Sequence, residues 1–335
     1  MVIAAGMELI YPGNLHPDSF EEDGKTLKLP CLLPDVPHDV YHSDPWGPSL
    51  SQSTATTLLW CPKKAWAAHP RLGATKRKAP TKEMDLGSIA HELVLGKGAG
   101  FVSLPFDDYR KDAAQEARNE VREAGLVPIL AHQLEEATAA ADAVRKELEA
   151  LGVSLDVQTE LTVLWKEGEV LCKGRLDAFL IYDPRSSAPH ATIYDLKWRK
   201  KPSTADPAVF QRNCKKDGHD IQVAAYVSAI EAIYPHLAGR VSFEFLLVEQ
   251  GPPVIIQPVR LAGSMRSLGQ GRWKRAVKLW QKCLTSGHWP GYCDGVAEVE
   301  ALPWQLQDDF AQAVRGQGDP TEAWGETETA EGGGE

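Results

Sequence analysis

Four charged residues stand inside apolar, β-branched runs of this chain: Glu160 in QTELTV, Asp177 in GRLDAF, and Asp195 and Lys197 in YDLKW. A charge buried in a strand is costly unless something neutralises it, so acidic groups in such runs point to a bound cation. Residues two apart on a strand project to the same face, so Asp195 and Lys197 point together. The carboxylate of such a pair can hold a divalent cation while the ammonium orients an attacking water and stabilises developing negative charge. Asp177 shares its strand face with Arg175 and Phe179. If that strand pairs with the one carrying Asp195, the two carboxylates converge on an oxygen-rich site suited to Mg2+ or Mn2+. An Asp-x-Lys triplet is common by itself, and Asp23-Gly24-Lys25 is a second one, in a segment without strand character. Asp195-Leu196-Lys197 differs because a hydrophobic strand precedes it and Gly174-Arg175-Leu176-Asp177 sits one hairpin upstream.

Two further groups lie outside this stretch. His91, in GSIAHEL, follows Gly87 by one helical turn, and a lone histidine on such a helix is more often a core or surface residue than a ligand. Gln222 and Tyr226, in QVAAY, are four apart and share a helix face. Taken alone, that pair reads as a packed tyrosine and a satisfied glutamine.

The elements that must hold these residues follow from periodicity. Strands are expected at about 157–166 and 169–182, joined by a tight turn at Glu167-Gly168, with ATIYDLKW as a third. A helix from Asp220 to Tyr234 follows, then strands VSFEFLLVEQ and PVIIQPVRL, then a basic helix from Ser264 to Ser286. Upstream, residues 1–49 read as an irregular arm with at most short strands. LSQSTATTLLWCPKKAWAAHP reads as a capped helix broken at Cys61-Pro62, followed by a basic linker and the helix of His91. The alanine- and glutamate-rich stretch 112–151 is expected to be a two-helix insertion broken near Gly125 and Pro128. The whole is a mixed α/β layer architecture, a mixed central sheet flanked by helices. Residues 294–315 form a C-terminal extension, and the acidic tail 316–335 is expected to be disordered.

Composition bounds the rest. The chain has 335 residues, 43% hydrophobic, with net charge −10. That is ample for one large core, and no apolar run is long enough for a membrane span. The N-terminus lacks the basic flank and apolar core of a secretory signal, so a cytoplasmic protein is expected. The six cysteines are scattered without a CxxC and are expected to be reduced thiols. The tail after Arg315 holds six of the acidic residues, whereas Arg260 to Lys282 carries seven basic residues and no acidic one. With Arg199, Lys200 and Lys201, such local basic faces could steer a polyanion toward an acidic metal site. Any one run alone is equally a solvated helix face.

In order, His91, Glu160, Gly174 to Asp177, Asp195 with Lys197, and Gln222 with Tyr226 resemble the PD-(D/E)xK nuclease superfamily and its restriction-endonuclease-like core. More narrowly they resemble its RecB-like branch. LSQSTATTLLWCP and Trp289-Pro290-Gly291-Tyr292 are similar to elements of phage and prophage RecE-type exonucleases. The resemblance spans roughly residues 50–293. It implies that His91, Asp177, Asp195 and the Leu196 carbonyl bind metal, that Lys197 acts on the nucleophilic water, and that Glu160 helps orient the site. Gln222 and Tyr226 would hold the DNA strand or brace the lysine, and Arg175, Arg199, Lys200, Lys201, Arg272, Lys274 and Arg275 would contact DNA. The implied reaction is Mg2+- or Mn2+-dependent phosphodiester hydrolysis from duplex DNA ends. A single-strand annealing protein would be its recombination partner and a homo-oligomeric ring its assembly. Some RecB-like nucleases hold an iron–sulfur cluster through one early and three late cysteines. Here the late region offers only Cys283 and Cys293, so no cluster is expected and Cys61 is expected to be a buried helix-end residue. Two other readings stay open: a RecB-like endonuclease or single-strand nuclease within a repair or defence complex, and a catalytically silent DNA-binding scaffold.

Overall fold

The strands that carry the acidic residues form the middle of one sheet. The computed structural model describes residues 27–34, 36–73, 82–98, 100–150, 159–185, 187–199, 204–249, 253–293, 295–312 and 314–315. Lys200, Lys201 and the tail 316–335 lie outside the described residues, as does the Arg199 side chain. Strands β4 (Thr159–Glu167) and β5 (Val170–Tyr182) pair antiparallel around a turn where Gly168 adopts φ 62°. That left-handed conformation suits glycine because no Cβ opposes it. Strand β6 (His190–Arg199) pairs antiparallel with β5 and parallel with β7 (Val241–Glu249), and β8 (Ile255–Val259) closes that edge antiparallel to β7. At the other edge β1 (Cys31–Leu33) pairs antiparallel with β4, so the six-stranded order is β1-β4-β5-β6-β7-β8. The segment expected to be an irregular arm therefore contributes an edge strand.

Helices cover both faces, which is why residues 191–196 of β6 are all buried rather than alternating. On one face lie α2 (Gln52–Trp60), α3 (Pro62–Ala68), α7 (Pro207–Asp217), α8 (His219–Ile233) and α9 (Gly263–Ser286). Their core includes Leu58, Trp165, Leu176, Ile193, Ile230, Phe245 and Trp280. Each such side chain contributes about 1.5–3 kcal/mol when removed from water. Ser51 caps α2 by accepting from the Thr54 N–H, and buried Cys61 joins α2 to α3, with Pro62 at the first turn where its missing N–H costs nothing. Helix α7 was not anticipated, although Asp206-Pro207 is a start signal: Asp206 accepts from Ala208 N–H, and Gly218 ends the helix at φ 76°.

The other face is covered by α4 (Lys82–Leu95) and α6 (Ala131–Ala150), through Val94, Leu95, Val144 and Leu148 against Leu196, Leu246 and Val248. Within the expected two-helix insertion, α6 shares this face of the sheet with α4, and the break between it and α5 (Asp112–Glu123) is strand β3 (Val127–Leu130), paired parallel with β2 (Phe101–Leu104). A four-residue apolar run such as VPIL is too short to display a period, so only its pairing partner reveals it. Short helix α1 (His38–Ser43) precedes α2. Residues 292–335 form a second unit, in which α10 (Pro303–Gln312) carries exposed Trp304, Leu306 and Phe310. No helix among the described residues is long and apolar enough to cross a membrane.

Candidate active site

The acidic residues meet where two neighbouring strands lose their regular alternation. The β4–β5 ladder pairs Thr159 with Ala178 and Leu161 with Leu176 and skips Glu160 and Asp177 between them. Glu160 takes φ 53°, a left-handed conformation that costs a non-glycine residue about 1–3 kcal/mol. At this point both strands change face. Thr159 bonds to the Leu95 carbonyl of α4 while Leu161 packs in the opposite core, and Ala178 and Leu176 divide in the same way. The Asp177 carboxylate turns along the sheet and accepts a 2.7 Å hydrogen bond from the Leu196 N–H on β6.

Helix α4 brings His91 to the same point. Its Nε2 is 3.1 Å from the Leu196 carbonyl oxygen and its Nδ1 is 3.4 Å from Asp177 Oδ2. One donor atom each from His91, Glu160 and Asp177 lies within 4.8 Å of the others. Asp195 stands beside them on β6, buried, with Oδ1 accepting from Gln222 Nε2 at 2.5 Å and Oδ2 2.6 Å from Lys197 Nζ. Among the described residues no donor meets Oδ2 with hydrogen-bond geometry.

Electrostatics show what this cluster lacks. Burial pushes the Asp177 carboxyl well above the usual range, and Asp195 and Glu160 add to the rise. Burial likewise raises Glu160 to about 7, against the pull of Arg175. Burial lowers the His91 imidazole to about 4, so its ring is neutral and can offer a lone pair. Carboxylates, a neutral imidazole and a peptide carbonyl make an oxygen-rich donor set whose mutual repulsion a hard divalent cation would relieve, which fits Mg2+ or Mn2+.

The remaining expected residues divide. Arg175 lies over the Tyr41 ring at 4.5 Å, donates to the Val36 carbonyl at 2.8 Å and reaches Glu160 at 3.8 Å. Tyr226 is buried, and its hydroxyl accepts from the Arg175 N–H at 3.3 Å. A methyl group on Gly174 would lie 2.7 Å from Tyr226 Cε1, so the glycine exists to admit this ring. Gln222 and Tyr226 thus lie buried beneath the site, bonded to Asp195 and to Arg175. Arg272, also expected to contact DNA, is buried and donates to Asp220 at 2.6 and 2.8 Å and to the Lys215 carbonyl. Lys274 and Arg275 are exposed on α9.

A cleft of about 890 Å³ opens over the cluster, lined by His91, Glu160, Arg175 and Lys197 and, on one wall, by Val36, His38, Tyr41 and His42. Nothing in the sequence assigned chemistry to that wall. It is held by Lys173, whose Nζ donates to the Tyr41 carbonyl at 2.8 Å and pairs with Asp44 at 3.1 Å. The only local signal was the histidine spacing in HDVYHS.

This sheet and site match a known family. The family model for the PD-(D/E)XK nuclease superfamily matches residues 49–317, and the chain belongs to that superfamily. Its mixed six-stranded sheet between helix layers is consistent with that fold. A crystal structure of a "Putative exonuclease" from Eubacterium rectale aligns over 79% of this chain and 95% of its own at 12% identity, with TM-score 0.50, a likeness of fold. The crystal structure of SSO0001 aligns over 62% of this chain and 87% of its own at 15% identity, with TM-score 0.23, too slight to bear on the fold. No curated protein matches the sequence.

Proposed function

We propose that this member of the nuclease superfamily is a metal-dependent deoxyribonuclease of the RecB-like branch, similar to RecE-type exonucleases, that hydrolyses duplex DNA from its ends. The observation that carries this reading is the meeting of His91, Glu160 and Asp177 beside the Asp195–Lys197 pair in one open cleft.

Asp177, Asp195, His91, Glu160 and the Leu196 carbonyl would hold Mg2+ or Mn2+. When bound, such an ion would supply positive charge against a scissile phosphate and would lower the pKa of water. Lys197 Nζ, fixed against Asp195 at 2.6 Å, donates a hydrogen bond to the attacking water or to the phosphoryl oxygens as charge develops. Gln222 locks the Asp195 carboxylate in one rotamer, and Arg175 restrains Glu160. Exposed Lys274 and Arg275, with Arg199, Lys200 and Lys201, supply cations for phosphate contacts. A single-strand annealing partner and a ring assembly accord with this reading.

The test is digestion of linear duplex DNA labelled at either end, beside a covalently closed circle of the same sequence, with Mg2+. The reading expects the linear form to be degraded, the circle to survive, and Asp195→Ala to abolish the activity. Cutting of the circle would make the protein an endonuclease. An inert protein, or unaltered activity in Asp195→Ala, would overturn the reading.

A further inference from the structure

The α1 wall of the cleft carries a second set of metal-binding groups. His38 and His42 are four apart on α1, so their rings rise from the same helix face. Their Nε2 atoms are 3.0 Å apart, and both residues line the cleft. Two nitrogens each about 2.0–2.1 Å from one ion stand about 2.9 Å apart at a right angle and about 3.4 Å apart at the tetrahedral angle, and the observed spacing lies between these. The contact is a hydrogen bond in which one ring donates to the other, and because such an exposed pair gains little net stability from it, a cation can displace the shared proton.

The scaffold beneath is stiff. Tyr41, between the two histidines in sequence, has Lys173 Nζ 4.8 Å and the Arg175 guanidinium 4.5 Å from its ring centroid. Lys173 and Arg175 also bind the carbonyls of Tyr41 and Val36 at 2.8 Å, fixing α1 and the residue two before it to β5. The His42 ring packs edge-on against Tyr41 at 5.2 Å. The chain therefore holds the two rings together before any ion arrives, which reduces the ordering cost of binding.

We infer that His38 and His42 form a chelating site for a late first-row divalent cation, Zn2+ or Ni2+ in class, separate from the acidic cluster across the cleft. The donor chemistry separates the two sites. Imidazole nitrogens favour zinc, nickel and copper, whereas the oxygen-rich set around Asp177 favours magnesium and manganese. Two protein ligands leave coordination positions facing the cleft, open to water or to a phosphate oxygen. This site does not depend on the nuclease reading.

Calorimetric titration of the full chain with ZnCl2 in a large excess of Mg2+ tests it, because Mg2+ occupies hard oxygen sites and competes poorly for imidazole. Expected is a Zn2+ binding event whose affinity falls about tenfold or more in His38→Asn and in His42→Asn, and is unaltered in Asp177→Asn. Melting temperatures in EDTA, equal for the parent and both histidine variants, would show that the fold is intact. Zinc affinity unchanged in both histidine variants, or lost in Asp177→Asn instead, would overturn the assignment.

Discussion

Gln222 Nε2 donates to Asp195 Oδ1 at 2.5 Å, and the other oxygen of the same carboxylate is 2.6 Å from Lys197 Nζ. The glutamine therefore sets the orientation of the acid that positions the lysine, although it lies on a helix and never enters the cleft lining. Gln222→Ala frees the Asp195 carboxylate to rotate and leaves an acceptor buried. Partners that orient metal-binding groups are typically worth 10–100-fold, so a loss of about that size in Mg2+-dependent DNA digestion is expected. Assays across Mg2+ concentration will separate weakened metal affinity from a lowered maximal rate.

Asp177 crowds against Glu160 and Asp195, and burial opposes its ionisation. Asp177→Asn removes that repulsion while the amide oxygen can still accept from the Leu196 N–H. The variant should melt higher than the parent in EDTA. For the parent, Mg2+ or Mn2+ at a hundredfold excess over Kd should add about 2.7 kcal/mol of stability. The Asn variant should lose most of that increment, together with nuclease activity. Thermal melts with and without metal measure both effects.

Gly174 admits the Tyr226 ring at 2.7 Å from where a methyl group would stand. Gly174→Ala should destabilise the fold by about 1–3 kcal/mol, the usual cost of overpacking. Tyr226→Phe keeps the ring and loses only the hydroxyl bond to Arg175, so it should cost about 1 kcal/mol. Urea unfolding of the two variants reads the difference.

Arg272 and its neighbours on α9 separate by burial. Arg272→Ala strands Asp220 in the interior and should cost about 3–5 kcal/mol of stability. Lys274→Ala combined with Arg275→Ala should leave stability nearly unchanged and flatten the salt dependence of DNA binding. Denaturant midpoints and binding isotherms at several salt concentrations distinguish these outcomes.

His69 gives a pH dependence of known sign. Its Nδ1 accepts from the Arg71 N–H and its Nε2 is 3.0 Å from the Ser49 carbonyl, so the ring is neutral. Burial lowers its pKa below the ordinary 6.5, against the pull of Asp44. Below pH 6.5 the unfolded chain binds a proton that the folded chain resists. The contribution of His69 is therefore complete above that pH and is lost as pH falls toward the depressed folded value. His69→Gln should lose less stability than the parent between pH 7 and a mildly acidic pH, as read by urea midpoints.

The strands around the acidic residues, and the helices carrying His91 and Gln222, were legible in the chain itself, because period-two and helical patterns report local geometry directly. Glu160, Asp177, Asp195 and Lys197 stood out because charge in an apolar strand is costly wherever the strand ends up. The sequence also marked Gly174, though not its purpose. That depends on the approach of Tyr226 from a helix 52 residues away. Tertiary structure alone decided that Glu160 leaves the regular ladder and that α6 covers the sheet. It alone decided that Arg272 turns inward to Asp220 and that the wall bearing His38 and His42 closes over the site. Each of these depends on which surfaces meet, and a local pattern contains the faces of an element but not the partner that will cover them.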